Sequence, residues 1–281
     1  MKGVFPGVGQ AVLLTIAVVV AQVAVVLPMA VWPYAGESLA DHPLGLALAN
    51  TIAFGLVLLY ALRRSGTNAT QLFHLRPMPA AAAVPVVVAT LGLGVLLSEV
   101  DNVFRYFVPL PEEAAEAFAE IVDVEASLLA AVFVLVVVAP VTEELLFRGV
   151  IFRGLSSRFR FAGAALISAA LFAIAHFNPW QFLTAMCVGI VFAWYVRETG
   201  SIVPALIGHA VHNGSTVVVG VLPIDVPGFT TQPSEAFVLQ PLWLDALGLA
   251  LTVGGLMWFR RICASRRPLP EREGPTRAAE G

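Results

Sequence analysis

Seven side chains that can do chemistry are concentrated in three apolar stretches of this 281-residue sequence. They are Glu143, Glu144, Arg148, His176, His209, His212 and Asn213. Ionisable groups inside such stretches cost about 2.5–3.5 kcal/mol each on membrane-insertion scales, which makes them functional candidates by default. A buried glutamate beside a histidine can take a proton from water, and a histidine with an asparagine can donate hydrogen bonds to an oxyanion. The residue types therefore predict a hydrolase.

A metal ion is the alternative way to activate water with these residues. Glu143, His176 and His209 are suitable zinc ligands, and three protein ligands leave a fourth position open for water. Other hydrolase signatures are absent: the sequence has no HExxH motif, no GxSxG motif and no pair of aspartates within its apolar stretches. The sequence leaves the cofactor open between none and zinc.

Helical spacing assigns these side chains to faces. Glu144 and Arg148 are four residues apart, so they can pair on one face, which would neutralise the arginine and keep the carboxylate ionised. Glu143 is rotated by about 100° from Glu144, so the two carboxylates need not share a role. His209 and Asn213 are again four residues apart, so both can point into one cavity.

The candidate residues are predicted to lie at similar depths in the membrane. At a rise of about 1.5 Å per residue, Glu143, His176 and Asn213 lie roughly 15, 24 and 20 Å from the flanking loops on one side of the membrane. These depths overlap near the midplane, as one shared site requires. Pro140, one turn before Glu143, is expected to loosen its helix and admit water.

Composition predicts that a bilayer surrounds these helices. The chain is 58% hydrophobic and 12% charged, with a mean hydropathy of +0.85, whereas soluble domains have about 25% charged residues. Eight apolar stretches are long enough to be candidate spans. They are 9–32, 44–62, 79–98, 127–152, 162–177, 180–196, 201–221 and 239–259. The predicted fold class is an all-α, polytopic transmembrane helical bundle.

Charge in the loops predicts the orientation. Arginines occupy every second connection and the C-terminal end, whereas the odd-numbered loops are acidic or neutral. By the positive-inside rule both termini are cytoplasmic. Fifteen of the sixteen basic residues are arginine, which favours a prokaryotic plasma membrane. Because no basic patch contains interleaved aromatics, nucleic acid is not expected as a partner.

Two segments are predicted outside the spans. Within the long third loop, residues 112–125 alternate acidic and apolar side chains at helical spacing, which predicts an amphipathic helix at the membrane interface. The polar residues 268–281 predict a disordered cytoplasmic tail. Residues 1–267 then form a single transmembrane domain, whose catalytic core is about 127–219.

Three short motifs occur in order, each on a separate predicted span. They are EExxxR (Glu143 to Arg148), FxxxH (Phe172 to His176) and HxxxN (His209 to Asn213). Each motif alone is weak, but their combination resembles the CPBP family of CAAX proteases and bacteriocin-processing enzymes, also called the Abi family. The resemblance covers about residues 127–219.

This resemblance implies an eight-helix intramembrane endopeptidase, glutamate-dependent or metallo-type, with a cavity open to the cytoplasmic side. It also implies a role for each motif residue. Glu143 and His176 would activate water, His209 and Asn213 would stabilise the oxyanion, and Glu144 and Arg148 would support the site. The expected partners are membrane lipids and a peptide or protein substrate, lipidated or not.

Two other functions are compatible with buried polar residues in a membrane bundle. A proton-coupled transporter would use the glutamates and histidines as a relay, although the inverted repeats typical of transporters are not evident. A non-catalytic scaffold or immunity protein could keep the fold without the chemistry. His212 lies outside the family pattern, and the sequence does not assign it a role.

Overall fold

The computed structural model describes residues 5–34, 37–40, 42–111, 128–221, 223–230 and 237–265. Eight long helices make up most of these residues. They are α1 (Val8–Ala30), α2 (Pro43–Ser65), α3 (Ala83–Phe107), α4 (128–156), α5 (Phe161–Ala175), α6 (Pro179–Thr199), α7 (Val203–Val221) and α8 (Leu242–Ala264). Each coincides with one predicted span, so the all-helical bundle of about eight spans is confirmed.

Short elements connect some of these helices. A helical turn at Ala69–Leu72 and a 3₁₀ turn at Ala80–Ala82 lie between α2 and α3. Strand β1 (Pro33–Tyr34) pairs antiparallel with β2 (Glu37–Ser38) between α1 and α2. The amphipathic helix and the tail predicted from sequence both lie outside the described residues, and the proposed domain limits stay predictions.

The helices are suited to a bilayer in length and composition. Within the described residues, five helical segments are long and apolar enough to cross a membrane: α1, α2, Ala80–Phe107, α6 and α8. Helix α5 is apolar but has only 15 residues, or roughly 22 Å at the rise of an α-helix. The protein is therefore an integral membrane protein, and α5 by itself is shorter than the roughly 30 Å hydrocarbon core of a bilayer.

Helix α4 changes register along its length. It is α-helical at Leu128–Phe133, Ala139–Glu144 and Arg153–Ser156, and π-helical at Val134–Val138 and Leu145–Phe152. In the first π segment the N–H of Ala139 donates to the carbonyl of Val134, five residues back. The next residue, Pro140, has no N–H to give the Leu135 carbonyl.

A side chain from another helix satisfies that carbonyl. Asn213 Nδ2 of α7 donates to Leu135 O at 2.8 Å. In an apolar bundle an unpaired carbonyl costs free energy, so this bond is a reason for the register change to be tolerated. Pro140 was expected to loosen the helix, and the structure shows how: the proline and a π segment together free a carbonyl that α7 binds.

The connection between α5 and α6 is a tight hairpin. His176 ends α5, Phe177 has a left-handed backbone with φ of 49°, and Asn178 caps α6. The Asn178 Oδ1 atom accepts from the backbone N–H groups of Trp180 and Gln181 at 3.0 and 3.3 Å, which satisfies donors that the first helical turn leaves free. The hairpin therefore fixes His176 at the end of a helix.

Candidate active site

Glu144, Arg148 and His209 form a buried polar cluster between α4 and α7. Glu144 Oε1 accepts from Arg148 Nη1 at 3.0 Å and from His209 Nδ1 at 2.9 Å. The side chains of Glu144 and Arg148 are completely buried, and that of His209 is 5% exposed. The pairing of Glu144 with Arg148 predicted from their spacing is thus present, and His209 joins it from another helix.

Aromatic rings and a glycine enclose the Arg148 guanidinium. Its Cζ atom lies 4.4 Å from the ring centre of Phe172 and 5.6 Å from that of Phe192, distances at which a cation is attracted to a ring face. A Cβ atom at Gly189 would lie 3.2 Å from Arg148 Nη2 and 2.9 Å from Ala169 Cβ. Gly189 therefore leaves the space that the guanidinium occupies.

Phe172 also holds both candidate histidines. Its ring meets those of His176 and His209 edge-on, with centroids 4.7 and 5.8 Å away. Phe192 lies 5.7 Å from the His209 ring. The sequence motif included Phe172 without giving it a role, and Phe192 was missed because an aromatic residue in an apolar helix gives no signal that separates it from ordinary core.

Glu143 points away from this cluster, as the 100° rotation predicted. Its Oε2 atom lies 3.7 Å from His209 Nε2 and 4.0 Å from His176 Nε2. The Glu143 side chain is 16% exposed and that of His176 25% exposed. Glu143 Oε2 is buried without a hydrogen-bond partner. One carboxylate oxygen is thus aimed between two imidazoles, at distances too long for direct hydrogen bonds.

Hydrogen-bond partners define which ring nitrogens carry protons. His176 Nδ1 lies 2.8 Å from the carbonyl oxygen of Phe172, and because a carbonyl only accepts, this nitrogen donates. His209 Nδ1 donates in the same way to the Glu144 carboxylate. In each neutral imidazole the Nε2 lone pair therefore faces Glu143.

A cavity of about 480 Å³ adjoins Glu143 and His176. It is lined by Val19, Gln22, Val23, Phe54, Glu143, Phe147, Ala175, His176 and Phe177. Its walls come from α1, α2, α4 and the end of α5, so the first two spans, which carry no motif residue, form part of the site. The cavity is large enough for several residues of an extended peptide.

A chain of hydrogen bonds ties three of these helices together beside Glu143. Gln22 Nε2 donates to Asn50 Oδ1 at 3.1 Å, and Asn50 Nδ2 donates to Thr142 Oγ1 at 2.8 Å. The Thr142 hydroxyl donates in turn to Val138 O at 2.8 Å. Polar side chains in apolar spans are the signal that could have pointed to Gln22 and Asn50 from sequence.

Glu143, His176 and His209 have the atom types that zinc binds, but the distances from the carboxylate to the two imidazoles are longer than in a zinc site. Both histidines offer Nε2 lone pairs and hold their Nδ1–H groups on oxygen partners, which is how zinc-binding histidines are oriented. Ligand atoms of a tetrahedral zinc site lie roughly 3.3 Å apart, whereas Glu143 Oε2 is 3.7 and 4.0 Å from the two nitrogens. Among the described residues, no group of three His, Cys, Asp or Glu is arranged to hold a metal ion.

Most predicted site residues thus lie close together in the structure. Two of them, Asn213 and His212, differ from the others in their contacts. Asn213 is bonded to the backbone of α4 rather than to another predicted site residue. The extra histidine, His212, has a buried Nδ1 without a hydrogen-bond partner. The roles assigned to these residues stay predictions.

Comparison with known proteins matches the segment that holds this site to a family. The family described as type II CAAX prenyl endopeptidase Rce1-like matches residues 125–215, a segment that includes all three motifs. This match supports the resemblance to the CPBP family over that part of the chain. The match leaves α1 and α2 outside, although both line the cavity beside the CPBP motifs.

One similar protein supports the same resemblance. The Bacillus subtilis (strain 168) protein YdiL, named as a membrane peptidase, is 30% identical over 104 residues. The aligned part spans 37% of this chain and 43% of YdiL, so the chain matches less than half of that relative's length. No solved structure matches the chain.

Proposed function

We propose that this protein is an intramembrane endopeptidase in which Glu143 and His176 activate a water molecule. One observation carries the proposal: the Glu143 carboxylate lies in the wall of a cavity, within 4.0 Å of two imidazole nitrogens. A carboxylate that is poorly satisfied by protein donors is free to accept from water. The match of residues 125–215 to the type II CAAX prenyl endopeptidase Rce1-like family supports peptide hydrolysis over the transporter and scaffold alternatives.

Charge balance suggests how protons are distributed. If both imidazoles are neutral, the charges of Glu143, Glu144 and Arg148 add up to one negative charge. A site of low dielectric constant favours a net charge of zero. One additional proton on an imidazole gives that balance. The proposed mechanism places it on His209, whose two nitrogens lie 2.9 and 3.7 Å from the two carboxylates. The mechanism uses His176, which lines the cavity, as a hydrogen-bond acceptor through Nε2.

These protonation states give each residue one task. Water in the cavity donates one hydrogen bond to Glu143 and one to His176, which orients its lone pair toward the scissile carbonyl carbon. As the C–O bond forms, Glu143 accepts the proton, and His209 Nε2–H donates to the oxyanion. Collapse of the tetrahedral intermediate breaks the C–N bond, and the proton on Glu143 passes to the leaving amine.

The remaining motif residues hold this arrangement in place. Arg148 keeps Glu144 ionised, and Glu144 fixes the His209 ring through its Nδ1–H group. Phe172 fixes the His176 ring through its carbonyl oxygen and packs against both imidazoles. Catalytic groups need such support because a small displacement is costly.

Asn213 supplies a test of the proposed oxyanion site. One N–H of its amide is bound to Leu135 O, and in the proposed mechanism the other donates to the oxyanion. Asn213→Ala should lower kcat by roughly 10²–10³-fold, the typical effect of losing one oxyanion donor, with little change in KM. Cleavage of a peptide library in detergent or proteoliposomes measures both constants.

A purely structural Asn213 would behave differently. Its loss would leave the Leu135 carbonyl unpaired, which costs about 1–3 kcal/mol of stability, but kcat of the folded fraction would not change. Thermal unfolding alongside the kinetics separates the two effects. An unchanged kcat with a lowered melting temperature would remove Asn213 from the catalytic mechanism.

Metal dependence gives a second test. Because Glu143 Oε2 lies 3.7 and 4.0 Å from the two imidazole nitrogens, farther than neighbouring ligands of a zinc ion, we propose water activation by Glu143 without zinc. Purified protein treated with a strong chelator is expected to keep its cleavage rate within about twofold. Metal content is measured in parallel for wild type and Glu143→Gln. Stoichiometric zinc that disappears together with activity would instead make Glu143, His176 and His209 ligands.

Localisation and substrate follow from the same reasoning. We propose a prokaryotic plasma membrane with both termini in the cytoplasm, on the strength of the arginine distribution. The substrate is a peptide or protein segment that reaches the membrane interior, and lipids are its surroundings. The family description names prenylated CAAX proteins, whereas the cavity here has both apolar walls and the polar Gln22.

A further inference from the structure

The hydrogen-bonded chain from Gln22 through Asn50 to Thr142 has a direction that is fixed at one end. Backbone carbonyls only accept, so the Thr142 hydroxyl donates its proton to α4, where the oxygens of Val138 and Ala139 lie 2.8 and 3.1 Å away. Thr142 Oγ1 then accepts from Asn50 Nδ2, which turns Asn50 Oδ1 toward Gln22 Nε2. The Gln22 carboxamide is therefore bound through its nitrogen, and its carbonyl oxygen Oε1 is not used by the chain.

Gln22 supplies the polar group of the cavity wall that the proposed mechanism leaves unused. Nine described residues line the cavity, and three of them, Gln22, Glu143 and His176, have polar side chains. Glu143 and His176 are assigned to the attacking water. Within the described part of the chain, the bond to Asn50 is the hydrogen bond that the Gln22 side chain makes. The Oε1 atom of Gln22 thus stays available as an acceptor in a wall that is otherwise mainly apolar.

A peptide that enters this cavity needs partners for its backbone. Its N–H groups give up water as they enter an apolar environment, and an N–H group without a partner there costs free energy. A helical segment satisfies these groups internally, but a segment extended for cleavage does not. The apolar lining residues offer no side-chain acceptor, whereas a glutamine oxygen is a good one.

The chain also holds the Gln22 amide in place and ties it to the helix of Glu143. Thr142 directly precedes Glu143 in α4, and hydrogen bonds of 2.8 and 3.1 Å link it through Asn50 to Gln22. Because the amide is already ordered, little side-chain entropy is lost when a substrate binds to it. A substrate N–H on Gln22 would therefore be held in a fixed place relative to the Glu143 carboxylate.

We propose that Gln22 Oε1 accepts a hydrogen bond from a backbone N–H of the substrate, so that the site selects extended segments and rejects a residue without that N–H, such as proline, at the position facing Gln22. This inference rests on the proposed function, since it names a substrate contact of the same site. The contact comes from α1, outside the residues 125–215 that match the Rce1-like family. Gln22 is then a residue that determines specificity, contributed by this chain's first span.

Backbone N-methylation of a cleaved peptide tests the contact. A peptide that the wild type cleaves is synthesised with a single N-methyl group at each residue around the scissile bond in turn, except on the scissile amide itself. The methyl group removes the N–H and keeps the side chain. At one position we expect methylation to lower kcat/KM about five- to tenfold in the wild type, the usual effect of one lost hydrogen bond, and less than about twofold in Gln22→Leu.

The quantity compared is the ratio of kcat/KM for the methylated and parent peptides in one protein sample. This ratio does not depend on the fraction of protein that is folded, so a loss of stability in Gln22→Leu cannot produce the expected result. Gln22→Ala, which introduces a smaller side chain, is a second variant and should show the same loss of discrimination. Thermal unfolding is recorded for each variant.

Gln240→Leu is the matched control. Gln240 is 4% exposed, and its Nε2 donates to Val95 O of α3 at 3.1 Å, so this variant also removes an amide that joins two parts of the bundle. Gln240 is not among the residues that line the cavity. We expect Gln240→Leu to have a lower melting temperature and the wild-type ratio at every methylated position.

The other outcomes overturn the proposal. If Gln22→Leu and Gln22→Ala discriminated against methylation as the wild type does, Gln22 would be a structural residue, and the proposed function would stand. Wild-type protein that tolerates a methyl group at every position, or a Gln240→Leu variant that loses discrimination equally, would also remove the contact. Folded wild type that cleaves no peptide would reject the proposed function, and the role of Gln22 with it.

Discussion

Glu143→Gln is expected to abolish peptide cleavage, lowering kcat by at least about 10²–10⁴-fold while the protein stays folded. Glutamine keeps the shape of the side chain and an oxygen that accepts from water, but it cannot take the proton. Because Glu143 Oε2 has no hydrogen-bond partner in the protein, removing its charge should not lower stability. Cleavage of a peptide by purified protein and thermal unfolding are the two measurements.

A glutamate in another part of the bundle provides the control. Glu99 of α3 accepts from Asn102 Nδ2 and from Gln240 N at 3.1 and 3.0 Å. Glu99→Gln should therefore affect stability and leave kcat within a factor of about two, because the site residues keep their contacts. If Glu143→Gln kept wild-type kcat, Glu143 would not be the base, and the transporter or scaffold alternatives would gain support.

Arg148→Met is expected to destabilise the protein by about 3–5 kcal/mol, the usual effect of removing one partner from a buried ion pair. Glu144 would then keep its charge in a completely buried position with His209 as its remaining partner. The guanidinium contacts with Phe172 and Phe192 would be lost as well. Unfolding in mixed detergent micelles gives the change in the free energy of unfolding.

Arg105→Met is the matched control for a half-exposed pair. Arg105 also pairs four residues away along a helix, with Asp101, but the two side chains are 28% and 22% exposed. Such a pair contributes about 0–1 kcal/mol. The double variant Glu144→Gln with Arg148→Met should recover part of the lost stability, since no unpaired charge remains. Equal effects of Arg148→Met and Arg105→Met would contradict a buried structural pair.

The sequence by itself determined the helices and the contacts within one helix. Apolar length alone indicates a span, because no other secondary structure satisfies the backbone of a single segment in lipid. Helical periodicity then places Glu144 beside Arg148 and turns Glu143 away from both. The apolar helices, the pair of Glu144 with Arg148 and the separate direction of Glu143 all appear in the structure. The order of the three motifs indicated the CPBP family.

Tertiary structure decided which helices meet at the site. The bond from His209 to Glu144 joins residues 65 positions apart, and no periodic pattern encodes such a pair. In a membrane the helices gain little from apolar burial against each other, so small residues and polar contacts select the neighbours. Gly189 is such a small residue, since it leaves space for Arg148. Asn213 makes such a polar contact, because it donates to the carbonyl that Pro140 leaves free.

The cavity also came from the tertiary structure. Gln22 and Asn50 join Thr142 across α1, α2 and α4, yet in the sequence they are isolated polar residues in apolar spans. The contact of Pro6 with Gly154 likewise joins residues 148 positions apart in the chain. Local sequence fixes what each helix presents, whereas the packing of helices distant in sequence decides which of those groups share a site.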